Sequence, residues 1–146
     1  MVKVIIGLKG SGKTKQLIDS INTAIKTESG SMVCIEKGSA LTFDIDYRVR
    51  LIDASEYDIG SYTFLKGFIS GLHAGNFDIA HIFLDGLYKL SGSNDHAETA
   101  DFLAWADEFG KANKIEFTIS ISDDVAALPE SVTKYLSFAC CKSFLF

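Results

Sequence analysis

Gly7, Leu8, Lys9, Gly10, Ser11, Gly12, Lys13 and Thr14 match the spacing G-x-x-x-x-G-K-[ST] at every fixed position. The residue types explain the chemistry. Glycines adopt backbone angles closed to other residues and let main-chain N–H groups crowd around an anion with no Cβ in the way. A helix opening near Lys13 aims its unpaired N–H groups and the positive end of its dipole, about half a charge, at the same point. Lys13 adds a full positive charge, Ser11 a smaller donor, and Thr14 a hydroxyl placed to ligate a Mg²⁺ ion bridging the terminal phosphates of a triphosphate. We therefore expect Gly7, Gly10, Ser11, Gly12, Lys13 and Thr14 to hold the phosphates of ATP, with Lys13 also catalytic. Lys9 is read as a solvated loop lysine.

The other half of such a site is an acid at the end of an apolar strand. Asp85 closes the run His81-Ile82-Phe83-Leu84-Asp85, and Gly86 then breaks the strand. Thr14 and Asp85 are thus the expected metal ligands. A carboxylate that orients the attacking group is harder to place, because Gly86 stands directly after Asp85. Glu36, at the end of another apolar run, is the catalytic candidate, and Asp53 is a second.

Several elements must position these residues. Residues 2–6 read as a buried strand and 15–26 as a helix whose Leu17, Ile18, Ile21 and Ile25 form an apolar stripe. Short strands are expected at 32–36 and 49–52, with an irregular stretch between them. Ser61 caps a helix that ends at Gly75 and Asn76. The Asp85 strand and a polar stretch over 91–94 follow. Asp95 and Glu98 form a capping box for a helix ended by Gly110. Residues 115–121 read as a strand, Pro129 opens a last helix holding Val132, Tyr135 and Leu136, and the tail from Ser137 finishes as an edge strand. Alternating strands and helices predict an α/β fold, a three-layer α/β/α sandwich with a mainly parallel sheet and ligands at the carboxyl ends of the strands.

With 146 residues and 47% hydrophobic composition, residues 1–146 are expected to form a single nucleotide-binding domain with a core on both sheet faces. No apolar run nears the ~20 residues that cross a bilayer, and a strand begins at once, leaving no room for a signal peptide. We expect no membrane association and a cytoplasmic location. Cys34, Cys140 and Cys141 lack zinc-site spacing and read as reduced thiols. A net charge of −5 argues against nucleic acid as a partner. Arg48 and Arg50 are the two arginines, on a solvent-facing edge. His73, His81 and His96 read as structural or surface residues. The apolar ending Ser143, Phe144, Leu145, Phe146 suggests a protein partner or self-association.

The loop paired with Asp85 resembles the P-loop NTPase superfamily, and the order of elements resembles its RecA-like branch. That resemblance implies one strand between the loop strand and the acidic strand, and a polar sensor of the γ-phosphate near Ser120, Ser122 and Asp123. A narrower likeness to the core of type II thymidine kinases rests on Leu128-Pro129-Glu130-Ser131-Val132 and Cys140-Cys141. Gly86 replaces the glutamate that acts as base in those kinases, and no residues remain for their zinc-bearing lobe, so thymidine kinase activity itself is not expected.

The expectation is therefore an ATP-binding protein with slow Mg²⁺-dependent hydrolysis, a regulatory or assembly ATPase. Two alternatives stand beside it: a kinase for a nucleoside or other small molecule, with residues 37–60 contributing the acceptor site, and a non-hydrolysing nucleotide sensor. ATP is preferred to GTP because Asn113-Lys114-Ile115-Glu116, the segment nearest a guanine-reading motif, has Glu where Asp is needed.

Overall fold

The structure is a computed structural model that describes residues 1–39, 41 and 44–140. Its centre is a six-stranded sheet in which every strand pair is parallel. The strands are β1 (Val2–Gly7), β2 (Ser31–Glu36), β3 (Val49–Asp53), β4 (Ile79–Asp85), β5 (Glu116–Ser122) and β6 (Leu136–Cys140), in the spatial order β3-β2-β4-β5-β1-β6. The helices are α1 (Lys13–Thr27), α2 (Tyr62–Gly75), α3 (Leu87–Ser91), α4 (His96–Asn113) and α5 (Glu130–Thr133).

Sequence periodicity accounts for the layers. Parallel strands covered on both faces read as continuous apolar runs, and alternate residues of each run enter different cores. Val4, Ile6, Val33, Ile35, Ile82 and Leu84 pack with Leu65 and Ile69 of α2 and with Phe102, Leu103 and Ala106 of α4. Ile5, Met32, Cys34 and Phe83 pack on the opposite side with Leu17, Ile21 and Ala24 of α1. The α/β/α sandwich expected from the pattern is therefore the fold. No helix among the described residues is long and apolar enough to cross a membrane.

Strand β5 breaks the apolar rule on one face. Phe117, Ile119 and Ile121 join the core with α2 and α4, while Thr118 and Ser120 are buried polar residues on the α1 side. Each has a partner on β4. The Thr118 hydroxyl lies 2.8 Å from His81 Nε2, and His81 Nδ1 lies 2.9 Å from Glu28 Oε1. A carboxylate only accepts, so Nδ1 carries the proton and Nε2 accepts from Thr118, a neutral ring with both nitrogens satisfied. The ring stacks on Phe83, with centroids 4.0 Å apart.

Some boundaries differ from the sequence reading. Gly110 lies inside α4, which runs to Asn113 and ends at Lys114 in the left-handed conformation, φ 58°. A Cβ on Gly110 would stand 2.5 Å from the Ile115 carbonyl oxygen and 3.1 Å from the Met1 nitrogen. This glycine permits close backbone approach and does not terminate the helix. Helix α5 has four residues, and Leu136 opens β6 instead of extending the helix. Asp95 caps α4 as expected by accepting from Glu98 N–H, but Glu98 Oε1 accepts from the Ser93 hydroxyl at 2.6 Å instead of returning to Asp95. The short α3 falls where the sequence suggested only the end of a strand. Cys141 and residues 143–146, on which the partner expectation rests, lie outside the described residues.

Two measurements check this account. Gly110→Ala adds roughly 1 kcal/mol of helix propensity, but overpacking costs typically 1–3 kcal/mol. The variant is expected to unfold at lower urea than wild type. For His81, burial is the largest influence and lowers the imidazole pKa, with Glu28 and Glu116 opposing and Lys3 adding to the fall. The unfolded ring protonates first as pH drops. This stabilisation is therefore complete above the unfolded pKa of about 6.5 and declines below it until the lower folded value is passed. Urea midpoints should fall between about pH 7.5 and about pH 5.5, and fall less in His81→Gln.

Candidate functional site

Because all six strands run the same way, their carboxyl ends share one edge of the sheet. Residues 7–14 join β1 to α1 at this edge. Gly10 and Gly12 have φ values of 79° and 94°, and an added Cβ would meet nothing within 4 Å at either position. Their requirement is conformational. Gly7 differs: a Cβ there would collide with Ser11 Oγ and approach Cys140 Cβ to 2.7 Å. The Ser11 N–H donates to the Leu8 carbonyl at 3.1 Å, tightening the turn. Gly12 caps α1 without a side-chain acceptor, and the first turn carries no acid. Among the described residues, neither a capping side chain at Gly12 nor a first-turn acid therefore supplies an acceptor for the amides that open α1. Buried Ser11 Oγ has no hydrogen-bond partner among the described residues.

Across the edge, alternation sets the carboxylates. Asp85 follows His81 and Phe83 on the α1 face of β4, and Glu36 follows Met32 and Cys34 on the same face of β2. Glu36 and Asp85 are direct register partners. The Ser120 hydroxyl donates to Asp85 Oδ1 at 3.0 Å and accepts the Gly86 N–H at 2.8 Å. One residue of β5 thus orients the acid and holds the turn after it, where Gly86 adopts φ 77°. Glu36 is 4% exposed, and its Oε1 accepts the Leu41 N–H at 3.4 Å.

Loop and carboxylates enclose a cavity of about 250 Å³, lined by Lys9, Gly10, Lys13, Thr14, Glu36, Lys37, Asp85, Gly86, Lys89, Ser120 and Ser122. Gly10, Lys13, Thr14, Glu36 and Asp85 were all singled out by the sequence and are brought together here. Gly7, Ser11 and Gly12 shape the loop without lining the cavity. Lys13 Nζ donates to the Leu8 carbonyl at 3.0 Å. Burial lowers the Lys13 pKa most, Cys140 and Asp85 offset this in part, and Lys89 pushes it down further.

Asp53 stands apart. Its Oδ1 accepts from the Gly38 N–H, the Ser55 N–H and the Ser55 hydroxyl at 2.8, 2.9 and 2.6 Å. These bonds, Ser55 first, hold its carboxyl below the usual range. It is the cap of a single 3₁₀ turn, Ala54–Glu56. Asp123, grouped with Ser120 and Ser122 from the sequence, also faces away. It accepts from Tyr88 Oη at 2.7 Å and pairs with His96 Nε2 at 3.1 Å. Burial raises its pKa, but these bonds and the Asp124 N–H outweigh that and lower it overall.

Lys89 was not singled out from the sequence, and Lys37 entered only as the start of the 37–60 acceptor segment; both line this cavity. Lys37 directly follows Glu36, and a lone lysine after a strand has no spacing signature of its own. Lys89 lies on α3, which is too short to show helical periodicity. Its one signal was Gly86, whose left-handed φ of 77° precedes α3 and which lies against the Lys89 side chain. Arg48 pairs with Asp46, with Nε and a terminal nitrogen each 3.1 Å from a carboxylate oxygen, and no arginine lines the cavity. No cluster of three His, Cys, Asp or Glu side chains that could hold a metal occurs among the described residues. A scan of protein-family models finds no match to the chain, and a search of the curated proteins finds none either.

The two kinds of glycine make a direct comparison. Gly12 and Gly67 both have open space around a Cβ, but Gly67 lies within α2 with no left-handed φ. Gly12→Ala is expected to lose about 1–2 kcal/mol of stability from left-handed strain. Gly67→Ala is expected to gain up to about 1 kcal/mol from helix propensity, both read by urea denaturation.

Proposed function

We propose that the chain is an ATP-binding protein of the P-loop NTPase type with slow Mg²⁺-dependent hydrolysis. The observation that carries this reading is that Gly10, Lys13 and Thr14 of the 7–14 loop line one cavity together with Asp85, Lys37 and Lys89. The amides and Lys13 supply the field for a polyphosphate. The position of β5 between β1 and β4 supports the RecA-like branch, in which one strand intervenes at that place.

A Mg²⁺ ion fits this donor set. Mg²⁺ takes few protein ligands and fills its shell with water and phosphate oxygens, so Thr14 and Asp85 suffice without a third side chain. The ion would neutralise charge on the terminal phosphates. Ser120 would then act by fixing the Asp85 carboxylate, and Glu36, its register partner on β2, would be the group to orient water. The absence of arginine from the cavity lining supports slow turnover, since an arginine finger adds about 10³ to 10⁵ in rate.

Thermal unfolding with Mg-ATP is the test. Ligand at 100 times its dissociation constant adds about 2.7 kcal/mol, several degrees for a domain of this size. Lys13→Ala should abolish the shift, and Asp85→Asn should remove its Mg²⁺-dependent part. A Lys13→Ala protein that responds like wild type would refute the assignment.

A further inference from the structure

A second, larger cavity of about 640 Å³ opens beside the first and is lined by Lys37, Tyr88, Lys89, Gly92, Ser93 and Asn94. Lys37 and Lys89 line both cavities. The volume falls within the usual range for small-molecule sites. The charge is one-sided: two lysines line the cleft and no carboxylate does, in a chain whose net charge is −5. Neither lysine is ion-paired among the described residues. Ammonium groups in this setting recognise phosphate as point charges.

The walls are fixed. Tyr88 is held by its hydrogen bond to Asp123. Gly92 adopts φ 72°, and a Cβ there would lie 3.2 Å from the Gly60 carbonyl oxygen, so this loop packs on its neighbour. Ser93 is tied to Ser91, Asp95 and Glu98. An aromatic ring, neutral polar groups and a pair of cations thus stand ready without the ordering that a loose site would require.

Position within the fold determines which end of a ligand would meet which. Across the sheet from β1, the loop comes first, then Asp85 on β4, then Glu36 and Lys37 at the end of β2. A triphosphate held by the loop with its metal at Asp85 directs its terminal phosphate toward Lys37 and Lys89, where the second cavity begins. We propose that this cleft binds a small phosphate monoester, with its phosphate between Lys37 and Lys89 and itself the acceptor of the γ-phosphoryl group. This rests on the nucleotide reading above.

In the transfer, a monoester oxygen forms a bond to the γ-phosphorus. The bond from that phosphorus to the β–γ bridging oxygen breaks, and its electron pair leaves with the nucleoside diphosphate. The product is a phosphoanhydride. A phosphate monoester has a second pKa of about 6, so near neutral pH its nucleophilic oxygen carries no proton. This chemistry has no need of a base directly after Asp85, the position Gly86 occupies.

Phenyl phosphate is a suitable probe because it offers a phosphate for the lysines and a ring for Tyr88. Isothermal titration into the nucleotide-free full chain should show binding that Lys37→Ala and Lys89→Ala each weaken by about tenfold. Lys89→Arg should retain it, and phenol should bind far more weakly. Equal affinity in the alanine variants, or phenol binding as well as phenyl phosphate, overturns the cleft assignment. Phosphorus NMR of wild type with Mg-ATP and phenyl phosphate should then show a phosphoanhydride doublet. Release of orthophosphate alone overturns the acceptor role. Lysine-dependent binding of phenyl phosphate by a protein that gives no Mg-ATP thermal shift would instead refute the nucleotide reading, and the transfer with it, while upholding the cleft.

Discussion

Two-residue alternation along strands that all end on one edge is the constraint from which the site follows. Once Ile5, Cys34 and Phe83 are buried against α1, Glu36 and Asp85 have no freedom of direction. Each lies two residues beyond a residue already committed to that face, or a multiple of two, and so each carboxylate emerges on the side where α1 begins. A one-residue slip of β4 would send Asp85 to the face of α2 and α4. Its registers with β2 and β5 are therefore as important to the proposed chemistry as the acid itself.

The polar face of β5 shows how the sheet carries this information laterally. Thr118 and Ser120 are buried, and each would destabilise the fold if left unsatisfied. Both instead bond to β4, one to His81 near the start of the strand and one to Asp85 at its end. The neighbouring strand is thereby locked at two depths. The lower contact holds the strand in place, and the upper one aims a carboxylate.

Most of the architecture was legible because it depends on local periodicity. The apolar stripe Leu17, Ile21 and the runs around Val33, Phe83 and Ile119 each identify an element and its faces. The loop and Asp85 were legible because fixed spacing and a strand end are one-dimensional signals. What escaped depends on proximity between distant parts of the chain. Gly110 resembles a helix terminator until Met1 and Ile115 are seen against it. Leu136 continues the helical pattern of Val132 and Tyr135, but pairing with β1 draws it into a strand. Lys37 and Lys89 are 52 residues apart by their numbering, and only the adjacency of β2 and β4 brings them together. Asp53 looked equivalent to Glu36, but its hydrogen bonds to Gly38 and Ser55 belong to a turn that spacing does not reveal.

The bond from Lys13 to the Leu8 carbonyl gives the loop a closed resting arrangement of its own. An anion bound as proposed would have to draw the ammonium away from that oxygen, so what it gained from Lys13 would be the difference between two attachments and not the whole of one. On the proposed reading the loop would act as a latch: shut, it gives the ammonium a carbonyl partner, and opening it would be favourable only for a guest charged enough to replace that carbonyl.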